Sequence, residues 1–268
     1  MQFVWLVIGC VLLFGCEQFS GKSIADICKE YPQMCHDLNP DSWCRTEKSN
    51  IINNRYQNLL APSDDVKYQL MLNFEDYREC ISKASQIRHI KLPEKTAGRV
   101  KGLLTAEQQL QRLARDTAKS SDPRLVFYHW SRFSSGSHKE KFLHYQDQGL
   151  LETAELQVML ASFYIKNDLS RTVETLHHAL ELYPAQAEID TEIFISLVSI
   201  YVKQHKFDLA YVWGYVAKQF DIDTLDLPQI EVQVRQTTKN IDTLKHLGEQ
   251  YSDDIRKGKF SASNVPSL

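Results

Sequence analysis

The chain is short of residues that interrupt helices, with 10 glycines and 8 prolines in 268 positions. That is too few to punctuate the many short strands of a sandwich or barrel. It also lacks an excess of charge of either sign. With 31 Lys and Arg against 34 Asp and Glu, the net charge is −3, which leaves no polybasic field to hold nucleic acid or an anionic membrane by charge alone. G-x-S-x-G, H-E-x-x-H, a glycine-rich phosphate loop and a kinase-like set are all missing, and the nine histidines are scattered. What is present is an ordinary folded composition, 43% hydrophobic and 24% charged, which excludes disordered, collagen-like and coiled-coil classes. The length suits one or two domains. Leu, Gln, Glu, Lys and Ala run through long stretches without strand-like blocks, and this predicts an all-α protein.

Residues 3 to 15, FVWLVIGCVLLFG, form an uncharged apolar run. It is shorter than the ~20 residues a membrane-spanning helix needs and suits the core of an export signal. The run ends in Leu13-Phe14-Gly15-Cys16, which resembles the bacterial lipobox. The resemblance implies cleavage before Cys16 and acylation of its thiol by a diacylglyceride. The pre-signal region is only Met1-Gln2, without Lys or Arg, and Val7-Ile8-Gly9-Cys10 is a second, poorer match. Cleavage before Cys10 would leave too short an apolar core, so Cys16 is preferred. Residues 17 to 26, EQFSGKSIAD, turn polar, as a tether should. Glu17 rather than Asp implies, by the bacterial sorting rule, onward travel to the outer membrane. The expected layout is a signal peptide over 1–15 and a lipidated tether over 16–26. The chain would then sit on the periplasmic face of a gram-negative outer membrane.

Processing leaves Cys28, Cys35, Cys44 and Cys80, an even set that reads as disulfides in an oxidising compartment. Residues 42–60 and 64–86 both read as helices, with Ala61-Pro62-Ser63 as the turn and Ser63 as a cap. Cys44 and Cys80 are equidistant from Pro62, so an antiparallel hairpin brings them level. Cys44 to Cys80 is therefore the preferred bridge, and Cys28 to Cys35 follows by elimination. A metal site from Cys28, Cys35, His36 and Cys44 lacks the tight spacing of structural zinc. No Cys-x-x-Cys dithiol occurs either.

Residues 27–95 make a Cys-bearing helical segment, and His89–Gly102 reads as a connector because of Pro93, Gly98 and Gly102. Thr105 then caps a helix from Ala106 to about Lys119. Pro123 starts another helix, Ser137 and Glu140 form a capping box, and Gly149 ends the helix that follows. Residues 153–184 and 191–222 are self-similar helix-turn-helix units. Leu156, Met159, Leu160 and Phe163 line the first helix of one unit; Phe194, Leu197, Val198 and Tyr201 line that of the other. These positions, with small Ala179, Ala210 and Ala217 at the crossings, resemble the tetratricopeptide repeat (TPR). Thr172, Gly214 and Ile222 depart from its pattern. Residues 123–148 are the best candidate for a further unit, since fewer than three repeats rarely bury a continuous core. A capping helix is expected over 228–251, closing a repeat domain over 103–251, with a disordered tail over 252–268.

Lipobox, closely spaced cysteines and TPR-like helices together resemble a family of bacterial lipoproteins known only as a domain of unknown function. The segment from Ile27 to Arg45, ICKEYPQMCHDLNPDSWCR, carries the resemblance most specifically. It implies an address and no activity. The fold expected is all-α: helical hairpins stacked as a TPR-like α-solenoid, preceded by a disulfide-stapled helical segment.

The TPR resemblance implies a partner-binding groove at Gln157, Ala161 and Tyr164 in one unit and Ile195, Ser199, Val202 and Lys203 in the other. The leading functional expectation is an envelope adaptor with the bilayer, through acylated Cys16, and an envelope protein or peptide as partners, and with no cofactor. The rival is a cell-wall-directed enzyme, or activator of one, with its site in residues 22–133. Candidate chemistry is thin. His177 and His178 are adjacent on a helix and point about 100° apart, which reads as a solvated stretch. The run Phe127-Tyr128-His129-Trp130 with Arg132 and Phe133 reads as core rather than binding patch. Ser131, Ser134, Ser135 and Ser137 lie near His129 and His138 without a visible acid behind either histidine. Glu75, Asp76 and Glu79 lack a sugar-binding aromatic cleft.

Overall fold

A computed structural model describes residues 22–88, 90–237 and 240–266. The export signal, the lipobox and Cys16 lie outside the described residues. Among them are twelve α-helices and no strand, so the chain is all-α. The chain divides into two compact units between Thr117 and Ala118.

The first unit opens with α1 (Ile24–Glu30), where the Ser23 side chain accepts a hydrogen bond from the Asp26 N–H. A 3-10 turn over Pro32–Met34 follows. Then come α2 (Arg45–Leu60), α3 (Asp64–Ser85) and α4 (Pro93–Thr117). Ser63 caps α3 by accepting from the Val66 N–H, and α2 and α3 pack as a hairpin about Pro62. Cys28 bonds Cys35 with Cα atoms 5.7 Å apart, and Cys44 bonds Cys80 with Cα atoms 5.9 Å apart. Met71, Phe74, Tyr77 and Ile81 of α3 are fully buried against the neighbouring helices.

The expected connector at residues 89–102 and the boundary near residue 95 are corrected here. Pro93 is the first residue of a helix that runs 25 residues without a break. Proline fits a first helical position because its missing N–H would have no partner there. Gly98 and Gly102, read as breakers, lie one turn apart and let Pro40 and Asn39 come close. A Cβ on Gly98 would stand 2.8 Å from Pro40 Cδ, and one on Gly102 would fall onto the Tyr77 hydroxyl. Thr105 is no cap. It sits inside α4 and its hydroxyl donates to the Asp37 carbonyl at 2.9 Å.

The second unit contains α5 (Pro123–Phe133), α6 (Gly136–Asp147), α7 (Ala154–Tyr164), α8 (Leu169–Glu181), α9 (Glu192–Lys203), α10 (Phe207–Gln219), α11 (Leu227–Thr237) and α12 (Ile241–Arg256). Short loops make three successive hairpins of α5–α6, α7–α8 and α9–α10, and α11 and α12 both pack on α10. The two self-similar units of the sequence coincide with α7–α8 and α9–α10. Their crossings are filled as small residues allow, with Ala161, Ala179, Ala210 and Ala217 all buried. Gly214, where a bulky residue was expected, admits α11: an added Cβ would meet Leu227 Cδ1 at 2.9 Å.

Three boundaries differ from expectation. The helix expected to begin after Ser137 starts at Gly136 with Ser135 as its N-cap. The single helix over 228–251 is two, and the Asn240 side chain starts the second by accepting from the Thr243 N–H. The tail from 252 is ordered through the described residues. Phe260 is buried, a 3-10 turn forms over Ala262–Asn264, and Tyr251 donates to the Asn264 carbonyl at 2.9 Å.

Candidate functional site

Helices α7 and α9 are the first helices of consecutive hairpins, and between them lies a cleft of about 200 Å³. Val158, Ser162 and Ile165 of α7 form one wall; Glu192, Ile193 and Ser196 of α9 form the other; Ala161, Thr172 and Leu176 lie at its base. Positions 158, 162 and 165 follow one helical stripe. The cleft is mostly apolar, and Ser162 and Ser196 supply its hydroxyls. Thr172, the departure from the small-residue pattern, is fully buried and satisfied, its hydroxyl donating to the Asp168 carbonyl at 2.7 Å.

The residues expected to line a groove on the first repeat are covered. Gln157 and Tyr164 face the interior and Ala161 lies at the base of the cleft; all three are buried. Gln157 Nε2 donates to the Leu151 carbonyl at 3.0 Å. Tyr164 donates to Gln146 Oε1 at 2.6 Å, and the Arg171 guanidinium stands 4.2 Å from its ring centroid. The open stripe is Val158, Ser162 and Ile165, one residue or about 100° round the helix. On α9 the expected set fits the surface better. Ser199, Val202 and Lys203 are exposed and Ile195 is half-buried; Ser199 and Lys203 continue the stripe of Glu192 and Ser196.

His177 and His178 have opposite environments, and neither is a solvated bystander. His177 is buried with its ring stacked at 5.2 Å on Trp213, and burial pushes its pKa down to about 4. Phe260 and Tyr251 complete that stack. His178 Nε2 donates to Glu152 Oε2 at 2.7 Å, and its Nδ1 lies 3.2 Å from Glu181 Oε2. The hydrogen bond to Glu152 is the main reason its pKa is raised. Glu181 in turn accepts from the Ala262 N–H at 2.7 Å, which pins the C-terminal turn to α8.

Ser135 Oγ lies 2.7 Å from His138 Nδ1, and His138 Nε2 lies 3.1 Å from the Ala118 carbonyl. A peptide carbonyl, not a carboxylate, orients this histidine. The pair closes the first turn of α6 as a helix start would. Tyr128 and His129 are buried, whereas Phe127 and Trp130 pack on Phe142 and Phe163. The aromatic run is therefore core, except for Phe133, which is exposed. Cys44, Glu47 and Cys80 cluster tightly, but both sulfurs are spent in a disulfide and cannot act as thiolate ligands. Glu79 pairs with Lys83 at 2.7 Å.

A buried polar cluster in the first unit is structural. Arg99, almost fully buried, donates to Asp41 Oδ2 at 2.7 Å and to the Ala84 carbonyl at 3.2 Å. Asn39 Nδ2 donates to Asp41 Oδ1 at 2.6 Å, and Tyr77 donates to Asn39 Oδ1 at 2.8 Å. Burial opposes the charge on Asp41, yet the hydrogen bonds from Arg99 and Asn39 outweigh it and lower its pKa. Burial pushes the Tyr77 hydroxyl up to about 12. Every member is committed to a neighbour, so the cluster holds the 39–41 loop on α4 and offers nothing to a ligand.

The sequence profile of a family described as a protein of unknown function, DUF2989, matches residues 13–215. Neither a curated protein nor a solved structure matches the chain.

Proposed function

Proceeding from the fact that the chain belongs to the DUF2989 family, we propose that it is a lipid-anchored envelope adaptor. Its second unit receives a partner peptide in the cleft between α7 and α9. The observation that carries this reading is the cleft itself, an apolar slot of about 200 Å³ between the first helices of consecutive hairpins. In a TPR-like stack those helices line the inner surface, and recognition there uses a few apolar anchors set among polar residues. The slot admits one medium side chain of a partner, and Ser199, Val202 and Lys203 extend the contact along α9. Acylation at Cys16 would fix the module to the membrane. No catalytic constellation enters the proposal.

The test is photo-cross-linking in intact cells from a probe at position 199, comparing the native chain with Ser196→Trp and Ile165→Asp variants. Both positions are at the cleft wall rather than in the core. Filling or charging the slot should cut partner recovery about tenfold or more, the loss of one hot-spot anchor, with helical circular dichroism unchanged. Undiminished recovery from both variants refutes the cleft. The anchor is read separately, by fatty-acid labelling that a Cys16→Ala variant should abolish.

A further inference from the structure

The first unit carries an unpartnered apolar face on its last helix. A groove of about 990 Å³ runs along α4, lined by Ile90, Ala97, Val100 and Leu104. Ile90 is 96% exposed, and Leu104 and Val100 are 52% and 42% exposed. Contiguous apolar surface of this kind marks an interaction site. Its border carries more bases than acids. Arg88 and Lys91 stand at the turn before α4, Lys101 lies on the same stripe as Leu104 and Arg115 three turns further along it, against Asp37, which pairs with Arg55, and Glu94 and Glu107.

Two observations name the occupant. An aliphatic strip edged with cations is the pattern of a helix that lies in the headgroup layer of an anionic bilayer. The covalent geometry then sets its distance from the anchor. Asp37 forms part of the groove wall and is two residues beyond Cys35, whose Cα is 5.7 Å from that of Cys28 in α1. Cys16 precedes Lys22 by six residues, about 20 Å at full extension. Through the disulfide, the whole path from Cys16 to the groove is at most roughly 45 Å. An acylated Cys16 would therefore keep this face within that reach of the membrane, at a raised effective concentration, so a weak surface suffices.

We propose that this face of α4 docks on an anionic phospholipid surface. Ile90, Val100 and Leu104 enter the headgroup boundary, and Arg88, Lys91, Lys101 and Arg115 meet lipid phosphates. The inference rests on the lipid-anchor reading of Cys16 and adds an oriented protein contact to the attachment that the acyl chains provide.

The test is hydrogen exchange at residues 90–104 of the full chain purified from membranes. It is reconstituted in vesicles of phosphatidylethanolamine with phosphatidylglycerol and, separately, of phosphatidylcholine alone, with intact mass reporting acylation of Cys16. Exchange should slow only in the anionic vesicles. Each cation near such a surface contributes about fivefold, so an Arg88→Gln, Lys91→Gln double variant should lower the docked-to-undocked ratio roughly 25-fold. A Leu104→Asp variant should act in the same direction, because position 104 is exposed and the fold does not depend on it. Equal exchange in both vesicles with Cys16 acylated overturns the docking and leaves the anchor standing. Absence of the acyl mass overturns the anchor alone. The same chain added to preformed phosphatidylglycerol vesicles then still reads the face, and unchanged exchange there overturns the docking. Protection that grows with protein concentration before any vesicle is added assigns the face to a second copy and overturns it too.

Discussion

Replacing Gly102 by Ala sets two effects against each other, and the geometry decides which wins. Alanine is the better helix former by about 1 kcal/mol, and position 102 is in the middle of α4. The added Cβ, however, would stand 2.3 Å from the Tyr77 hydroxyl and 3.2 Å from the Asn39 backbone nitrogen. Tyr77 is fully buried in α3, and its hydroxyl both accepts from the Asn39 N–H at 3.0 Å and donates to Asn39 Oδ1 at 2.8 Å. Moving it breaks both bonds, and each buried polar group left unpaired costs about 1 to 3 kcal/mol. The net expectation is a loss of roughly 1 to 5 kcal/mol once the propensity gain is subtracted. Urea unfolding followed by far-ultraviolet circular dichroism, with the disulfides oxidised, measures it. Tyr77→Phe sharpens the test: alone it strands Asn39, but combined with Gly102→Ala it removes the clash. The double variant should be no less stable than Gly102→Ala alone, a coupling of about 2 kcal/mol. Gly136→Ala is the control, since no atom lies within 4 Å of an added Cβ there. A Gly102→Ala protein as stable as the native chain would refute this account of the loop's seat.

The two disulfides should differ in worth. Loop closure over the 36-residue separation of Cys44 and Cys80 gives about 4 kcal/mol in the chain-entropy model, against roughly 2.5 kcal/mol for the short Cys28–Cys35 loop. Thermal melts of paired Cys→Ala variants should rank in that order, and a reversed ranking would contradict it. The buried His177 makes stability fall with acidity. Its folded pKa, about 4, lies below the ordinary value of 6.5, so the unfolded chain binds the extra proton between them. The contribution is whole above 6.5, declines as pH falls towards 4, and amounts to something on the order of 3 kcal/mol. A His177→Phe variant should have a shallower acid limb across that window in urea titrations; an identical limb would argue against a neutral, buried imidazole.

Much of the architecture was legible because it depends on local signals. The turn at Pro62, the cap at Ser63 and the equal spacing of Cys44 and Cys80 all act within one hairpin. The periodicity of α7 to α10 needed only helix rules as well. The misreadings share a different cause, a tertiary partner that sequence neighbours do not reveal. Gly98 and Gly102 looked like breakers because the loop that needs their bare surface is some 60 residues away. Phe260 looked like part of a loose tail because its partners, Trp213 and Tyr251, come from other helices. Gln157, Ala161 and Tyr164 were read as open but are buried, since an apolar helix such as ELQVMLASFY leaves two stripes nearly equal and the buried partners decide between them. The exposed strip on α4 was hidden by the same misreading that turned its first turns into a connector.

The four cysteines pair in the order in which they occur along the chain, first with second and third with fourth. For a polypeptide threaded N-terminus first into an oxidising compartment, that order matters. Cys28 finds its mate within seven residues, so the partner arrives almost at once and the first bond can close before Cys44 emerges. On the lipid-anchor proposal, with the signal removed and Cys16 acylated, Cys44 then waits only for Cys80 at the far end of the hairpin. Serial oxidation of the emerging thiols thus yields the native connectivity directly, and no isomerase is needed to reshuffle it.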